Sequence, residues 1–148
     1  MKAVILAAGT ATRLRPLTDS TPKCLLDVGN RNILSLTIDN ILANGISDVL
    51  IVTGYREQQI KDFVAKAYPS LKVKYLFNKN FASTNNIYSL WMTKEQLAGE
   101  ELLLMDSDIL FDKNIITKLL NSGFENCLAL KIHKVGEEEI KVNIAVHQ

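Results

Sequence analysis

The stretch "KAVILAAGTATRLRPLT", Lys2–Thr18, decides the fold. Its first six residues, Lys2–Ala7, are an almost unbroken apolar run. A run of that length without alternation is the pattern of a strand buried on both faces, which is found in parallel sheets covered by helices. The run then stops at Gly9, and small residues lead into Arg13 and Arg15 with no carboxylate before Thr18. A buried strand that empties into a Gly- and Thr-containing basic loop has two readings. Backbone N–H groups of Ala8–Thr12 can turn inward and meet an anion, with the arginines supplying charge. Alternatively the loop is a solvated basic turn. The spacing matches neither GxxxxGK(S/T) nor GxGxxG.

Downstream, strand and helix patterns alternate. "NILSLTIDNILANG" (Asn32–Gly45) places Leu34, Ile38, Ile41 and Leu42 on one helical side, with Gly45 as its stop. "SDVLIVTG" (Ser47–Gly54) reads as a strand, "REQQIKDFVAKAY" (Arg56–Tyr68) as an amphipathic helix halted by Pro69, and "KVKYLF" (Lys72–Phe77) as a strand. "NNIYSLWMTKEQL" (Asn85–Leu97) is helical, Glu100–Ile109 opens with a strand, and "DKNIITKLLNSG" is a helix closed by Gly123. Asn126–His133 and Ile140–Val146 read as late strands joined hairpin-like through "KVGEEE". Such alternation predicts an α/β fold with a mostly parallel sheet and helices on both faces, whose ligands bind beyond the carboxyl ends of the strands. Three polar segments fall there: Gly9–Arg15, Asn78–Asn86 and Asp106–Asp108.

The totals narrow the function classes. A chain of 148 residues suits one domain and can bury about two-thirds of its unfolded surface. Its net charge of +1 provides no global field for nucleic acid or membrane, so polyanion binding must be local. No apolar run approaches the roughly 18 residues of a membrane span. Two cysteines, Cys24 and Cys127, make neither a disulfide framework nor a zinc pattern, which points to a reduced, cytoplasmic protein. His133 and His147 have no catalytic partner at useful spacing and read as structural or exposed.

Two further segments carry chemistry. In "NFASTNNIYSLW" (Asn80–Trp91), Ser83 or Thr84 can cap the following helix, while the amides of Asn85 and Asn86 both donate and accept and suit a base edge or a phosphorylated ligand. In "LLLMDSDILF" (Leu102–Phe111), Asp106 and Asp108 stand two apart at a strand end and would project to one side, where a divalent cation relieves their repulsion. Asp112 reads as a helix cap.

The order "AVILAAGTATRLRPLT", then "PKCLLDVGNRNIL" from Pro22, resembles the N-terminal signature of the nucleotidyltransferases that activate sugar-1-phosphates and related phospho-compounds, LAAGxGxRLxPLT followed by PKxLL. The resemblance implies a Rossmann-like three-layer sandwich lacking the family's C-terminal part. It implies that the loop Leu6, Ala7, Ala8, Gly9, Thr10, Ala11 and Thr12 wraps a nucleoside triphosphate, with Arg13 and Lys23 on its phosphates. Asp108 aligns with the Mg²⁺ ligand of the family's GDx motif, with Ser107 in the Gly position and Asp106 in support. Ala11 stands where the family has its second Gly, and a methyl group there calls for a negative φ or a wider pocket. "STNNIYSLW" is similar to a segment of cytidylyltransferases for phosphocholine and related acceptors, with Ser83 in place of an acid. This adds Ser83, Asn85 and Asn86 to the nucleotide site and implies CTP with a small phosphorylated or phosphonate acceptor. A sugar-1-phosphate enzyme using UTP, dTTP or GTP, and a non-catalytic nucleotide-binding module, are the competing expectations. Family domains are longer, so the 148 residues read as the N-terminal portion of one such domain, with a second metal-binding acid beyond it.

Overall fold

The computed structural model describes residues 1–130. In chain order it contains β1 (Lys2–Ala7), β2 (Asp27–Val28), β3 (Arg31–Asn32), α1 (Ile33–Ala43), β4 (Asp48–Thr53) and α2 (Glu57–Ala67). There follow β5 (Lys72–Phe77), α3 (Asn86–Met92), α4 (Lys94–Leu97), β6 (Leu102–Asp106) and α5 (Lys113–Leu120). Four strands form a parallel sheet in the order β5-β4-β1-β6. From β1 the chain moves outward through β4 and β5, then returns to place β6 on the other flank. Strand order therefore reverses between β1 and β6, the position where open α/β sheets hold their ligands.

Two cores explain why β1 reads as an unbroken apolar run. Ala3, Ile5 and Ala7 face the same side as Val49, Ile51 and Leu103, against Leu34, Ile38 and Ile41 of α1, Ile60 and Val64 of α2 and Ile116 of α5. Val4 and Leu6 face the opposite side with Leu50 and Val52, beneath Leu97 of α4 and Leu90 of α3. Each fully buried aliphatic side chain contributes about 1.5–3 kcal/mol, so this double packing outweighs local propensity. The result is the three-layer α/β arrangement expected of alternating elements.

Helix ends follow the capping chemistry of the sequence. Asn32 Oδ1 accepts from Ser35 N at 2.8 Å and starts α1, and Gly45, at φ 76°, stops it. Asp112 Oδ1 accepts from Asn114 N at 2.8 Å and starts α5. Each such cap contributes about 1 kcal/mol. The helix expected over Asn85–Leu97 divides at Thr93, whose hydroxyl donates to Leu90 O at 2.6 Å.

Two corrections follow. A two-residue ribbon, β2 with β3, turns at Gly29 (φ 68°) where no strand is expected. Residues 126–130 have no strand, and the rest of the two late strands, with His133 and His147, lies outside the described residues. Among the described residues no helix is long and apolar enough to cross a membrane.

Candidate active site

The loop after β1 begins as an extension of the sheet. Ala8 is buried, and its carbonyl accepts from Tyr55 N at 3.0 Å. Leu6 and Ala7 give their side chains to the two cores, and Leu6 O accepts from Ser107 N at 3.1 Å. Neither side chain is therefore available to a ligand. At Gly9 an added Cβ would meet no atom within 4 Å, so neither space nor a left-handed φ requires glycine there.

Ala11 is where the strain sits. Its φ of 48° and ψ of 45° put it in the left-handed region, so the negative φ expected for a methyl-bearing residue is not what the chain adopts. The conformation is held from one end: Thr18 Oγ1 donates to Ala11 O at 2.8 Å, Leu14 N donates to the same oxygen at 3.0 Å, and Thr18 is buried. A left-handed non-Gly residue costs on the order of 1–2 kcal/mol. Ala11→Gly is therefore expected to stabilise the chain by about 1 kcal/mol. Urea unfolding is the check, and a midpoint equal to or below that of the wild type would contradict the assignment of strain.

Thr12–Leu14 form a short 3-10 turn that carries Arg13 at the surface. Arg15 finds a counter-charge just past the opening stretch, with its Nε 3.3 Å from Asp19 Oδ1. Lys23 begins a second 3-10 turn after Pro22, and its Nζ donates to Asp108 Oδ2 in a close ion pair that spans 85 positions of sequence. Both side chains keep about a third of their surface exposed, at 35% and 37%.

On the β6 side, Asp106 ends the strand while Asp108 lies in the turn beyond it. The two carboxylates therefore do not share a side through strand alternation. They are coupled through the turn, whose Ser107 is anchored to β1. Burial pushes the Asp106 carboxyl above its ordinary range, the neighbouring charge of Asp108 adds to this, and Lys23 opposes it. Asn86 Nδ2 donates to Asp106 Oδ1 at 2.7 Å. Four expected residues thus meet at the β1/β6 switch point: Lys23, Asn86, Asp106 and Asp108.

Asn85 acts as the cap of α3, accepting from Tyr88 N at 3.2 Å, which displaces Ser83 and Thr84 from that role. The Ser83 and Thr84 hydroxyls instead donate to Asn80 O at 3.3 and 2.9 Å and tighten the turn before the helix. Three residues that sequence reasoning passed over, Tyr55, Arg56 and Gln59, bond to the β1 loop. Their one signal is Gly54, which ends the β4 pattern and places Tyr55 at a strand's carboxyl end.

Residues 2–139 match the family model described as nucleotidyl transferase. The chain belongs to this family. A curated relative, the choline-phosphate cytidylyltransferase of Streptococcus pneumoniae, is 40% identical over 115 residues, which cover 78% of this chain and 48% of the relative. The CTP:phosphoglutamine cytidylyltransferase of Campylobacter jejuni is 29% identical over 140 residues, covering 90% of this chain and 53% of that protein. The solved CTP:phosphocholine cytidylyltransferase from Streptococcus pneumoniae superposes with a TM-score of 0.66 at 41% identity, over 76% of this chain and 47% of its own. This nucleotidyl transferase chain thus spans about half the length of these relatives.

Among the described residues no group of three or more His, Cys, Asp or Glu side chains is placed to hold a metal. Mg²⁺ commonly takes only one or two protein carboxylates and completes its shell with water and phosphate oxygens. The coupled pair Asp106 and Asp108, with Asp106 held back from ionising in part by its neighbour's charge, fits that requirement.

Proposed function

We propose that this chain carries the nucleotide-handling part of a cytidylyltransferase, which moves CMP from CTP to a small phosphorylated or phosphonate acceptor such as phosphocholine and releases pyrophosphate. The observation that carries this reading is the contact of Lys23 with Asp108 beside Asp106 and Asn86 at the sheet's switch point. The kinship with cytidylyltransferases supports the choice of CTP. The 148 residues are read as the N-terminal portion of one catalytic domain, in keeping with their coverage of the relatives.

In the reaction an acceptor phosphate oxygen attacks the α-phosphorus of CTP in line. A new P–O bond forms as the bond to pyrophosphate breaks. No covalent intermediate with the protein is needed, so the chain's task is positioning and charge neutralisation. Lys23 would neutralise charge at the α-phosphate, Arg13 would hold the pyrophosphate end, and N–H groups of Ala8–Thr12 would cradle the triphosphate. Ser83, Asn85 and Asn86 would border the nucleoside, with Asn86 also orienting Asp106. Mg²⁺, held by Asp108 and Asp106, would supply Lewis-acid charge to phosphate oxygens. The unpaired thiols, Cys24 buried and Cys127 exposed, suit a reducing cytoplasm.

The test is pyrophosphate release from each of four nucleoside triphosphates, with Mg²⁺, against phosphocholine, phosphoethanolamine, 2-aminoethylphosphonate and glucose-1-phosphate. Release is expected with CTP and an amino-alcohol phosphate or a phosphonate. Turnover confined to glucose-1-phosphate would sink the cytidylyl reading. Triphosphate-dependent thermal stabilisation without release would make the chain a binding module.

A further inference from the structure

The loop from Gly9 to Pro22 has little regular structure beyond one short 3-10 turn, yet it carries Arg13 and leads into Lys23. Loops of this length in compact domains are uncommon and must be held by something. Several of its own bonds are local turns, such as Leu17 N to Leu14 O at 3.0 Å and Asp19 N to Pro16 O at 3.0 Å. A set of long-range bonds comes from one place, the junction of β4 and α2. Tyr55 N donates to Ala8 O at the loop's entry. The Tyr55 hydroxyl lies 2.9 Å from both Thr18 O and Asp19 O at its exit. Arg56 donates through Nη2 to Asp19 O at 2.6 Å and through Nε to the Tyr55 hydroxyl at 3.0 Å. Gln59 Nε2 donates to Ser20 O at 2.9 Å. Three consecutive backbone carbonyls, 18 to 20, are thus held by three side chains, and a single residue brackets both ends of the loop.

We infer that Tyr55 and Gln59 are positioning residues for the triphosphate-binding loop, acting through the carbonyls of residues 18–20 to keep Arg13 and Lys23 in place before nucleotide arrives. This rests on the nucleotide reading given above. Order present in the free protein need not be created on binding, so a clamp of this kind raises affinity without touching ligand. Its effect falls on the phosphate end. Loss of the clamp should weaken CTP, whose triphosphate tail uses the loop, and spare CMP, whereas a general loss of packing would weaken both.

Tyr55→Phe removes the hydroxyl and leaves the ring beside Phe81 and under the Arg56 guanidinium. Gln59→Met removes the amide with little change in size. Titration calorimetry with Mg²⁺ should show the double variant binding CTP roughly 10-fold more weakly, since a net hydrogen bond accounts for about that factor. CMP affinity should stay within about 2-fold of wild type, well inside the tenfold steps that separate binding classes. Amide hydrogen exchange at residues 9–19 of the free protein should quicken, with β1 and α1 unchanged. Unchanged CTP affinity, or equal weakening of CTP and CMP, would overturn the inference. If the wild type binds no nucleoside triphosphate, the nucleotide reading fails, and exchange in the loop then decides the clamp. Faster exchange in either single variant supports it, and unchanged exchange overturns it.

Discussion

Lys23→Ala is expected to lower pyrophosphate release by about 10²–10³-fold, the usual loss when one preorganised group aimed at developing charge is removed. Asp108→Asn should match it. The reason is position. Lys23 and Asp108 are in contact although 85 residues apart, and they meet where the β1 loop and the β6 turn face the switch point of the sheet. Each also has an alternative role as half of an ordinary surface ion pair. The magnitudes separate the two. With about a third of each side chain exposed, the pair contributes at most about 1 kcal/mol to stability after screening by solvent. A purely structural pair would therefore leave activity nearly unchanged and shift the melting temperature slightly. A functional pair does the opposite, with a large loss of rate at nearly constant stability. Measuring both quantities on the same two variants decides it, and near-normal turnover in either removes that residue from the mechanism. Asp108→Asn carries a second readout. It withdraws one of the charges that, after burial, keep the Asp106 carboxyl above its ordinary range, so the Asp106 pKa should fall.

How much of this was legible in the sequence depends on the range of the interaction. β1 and β5 occupy the expected bounds, Lys2–Ala7 and Lys72–Phe77. For β1 the cause is burial on both faces, which leaves a pattern no polar residue interrupts. Two helix ends were legible for a related reason: Asp112 and Gly45 act on backbone groups within four residues of themselves. Ala11 was half legible. Its place in the loop was visible, but the sign of its φ depends on Thr18, a buried hydroxyl seven residues on. The β6 carboxylates were legible as a pair for an incomplete reason, since a turn rather than strand alternation couples them. Tyr55, Arg56 and Gln59 were not legible at all. Side chains that bond to main-chain carbonyls nearly forty residues away leave no periodic trace, because the acceptor is a carbonyl that every residue possesses.

Gly54 joins fold to site, and Gly54→Ala is expected to destabilise the chain by about 3 kcal/mol. Its φ is not in the left-handed range, so backbone conformation is not the obstacle. Space is. A Cβ at this position would lie 2.6 Å from Ala8 O and 2.6 Å from Phe81 Cβ. Neither neighbour yields cheaply. Ala8 follows the central strand directly, and its carbonyl is engaged by Tyr55 N. Phe81 sits against the rings of Tyr55 and Phe77, with centroids 6.4 Å away in each case. Relief must come from parting β1 and β4 at their carboxyl ends, where the loop after β1 begins. For a chain of this size, 3 kcal/mol corresponds to a fall of roughly 10 °C in melting temperature. CTP binding should suffer more than stability alone explains, because the displaced Ala8 carbonyl is the entry of the loop. A melting temperature within about 2 °C of wild type would mean that the two strands separate without cost. Gly54 would then be a strand terminator and nothing more.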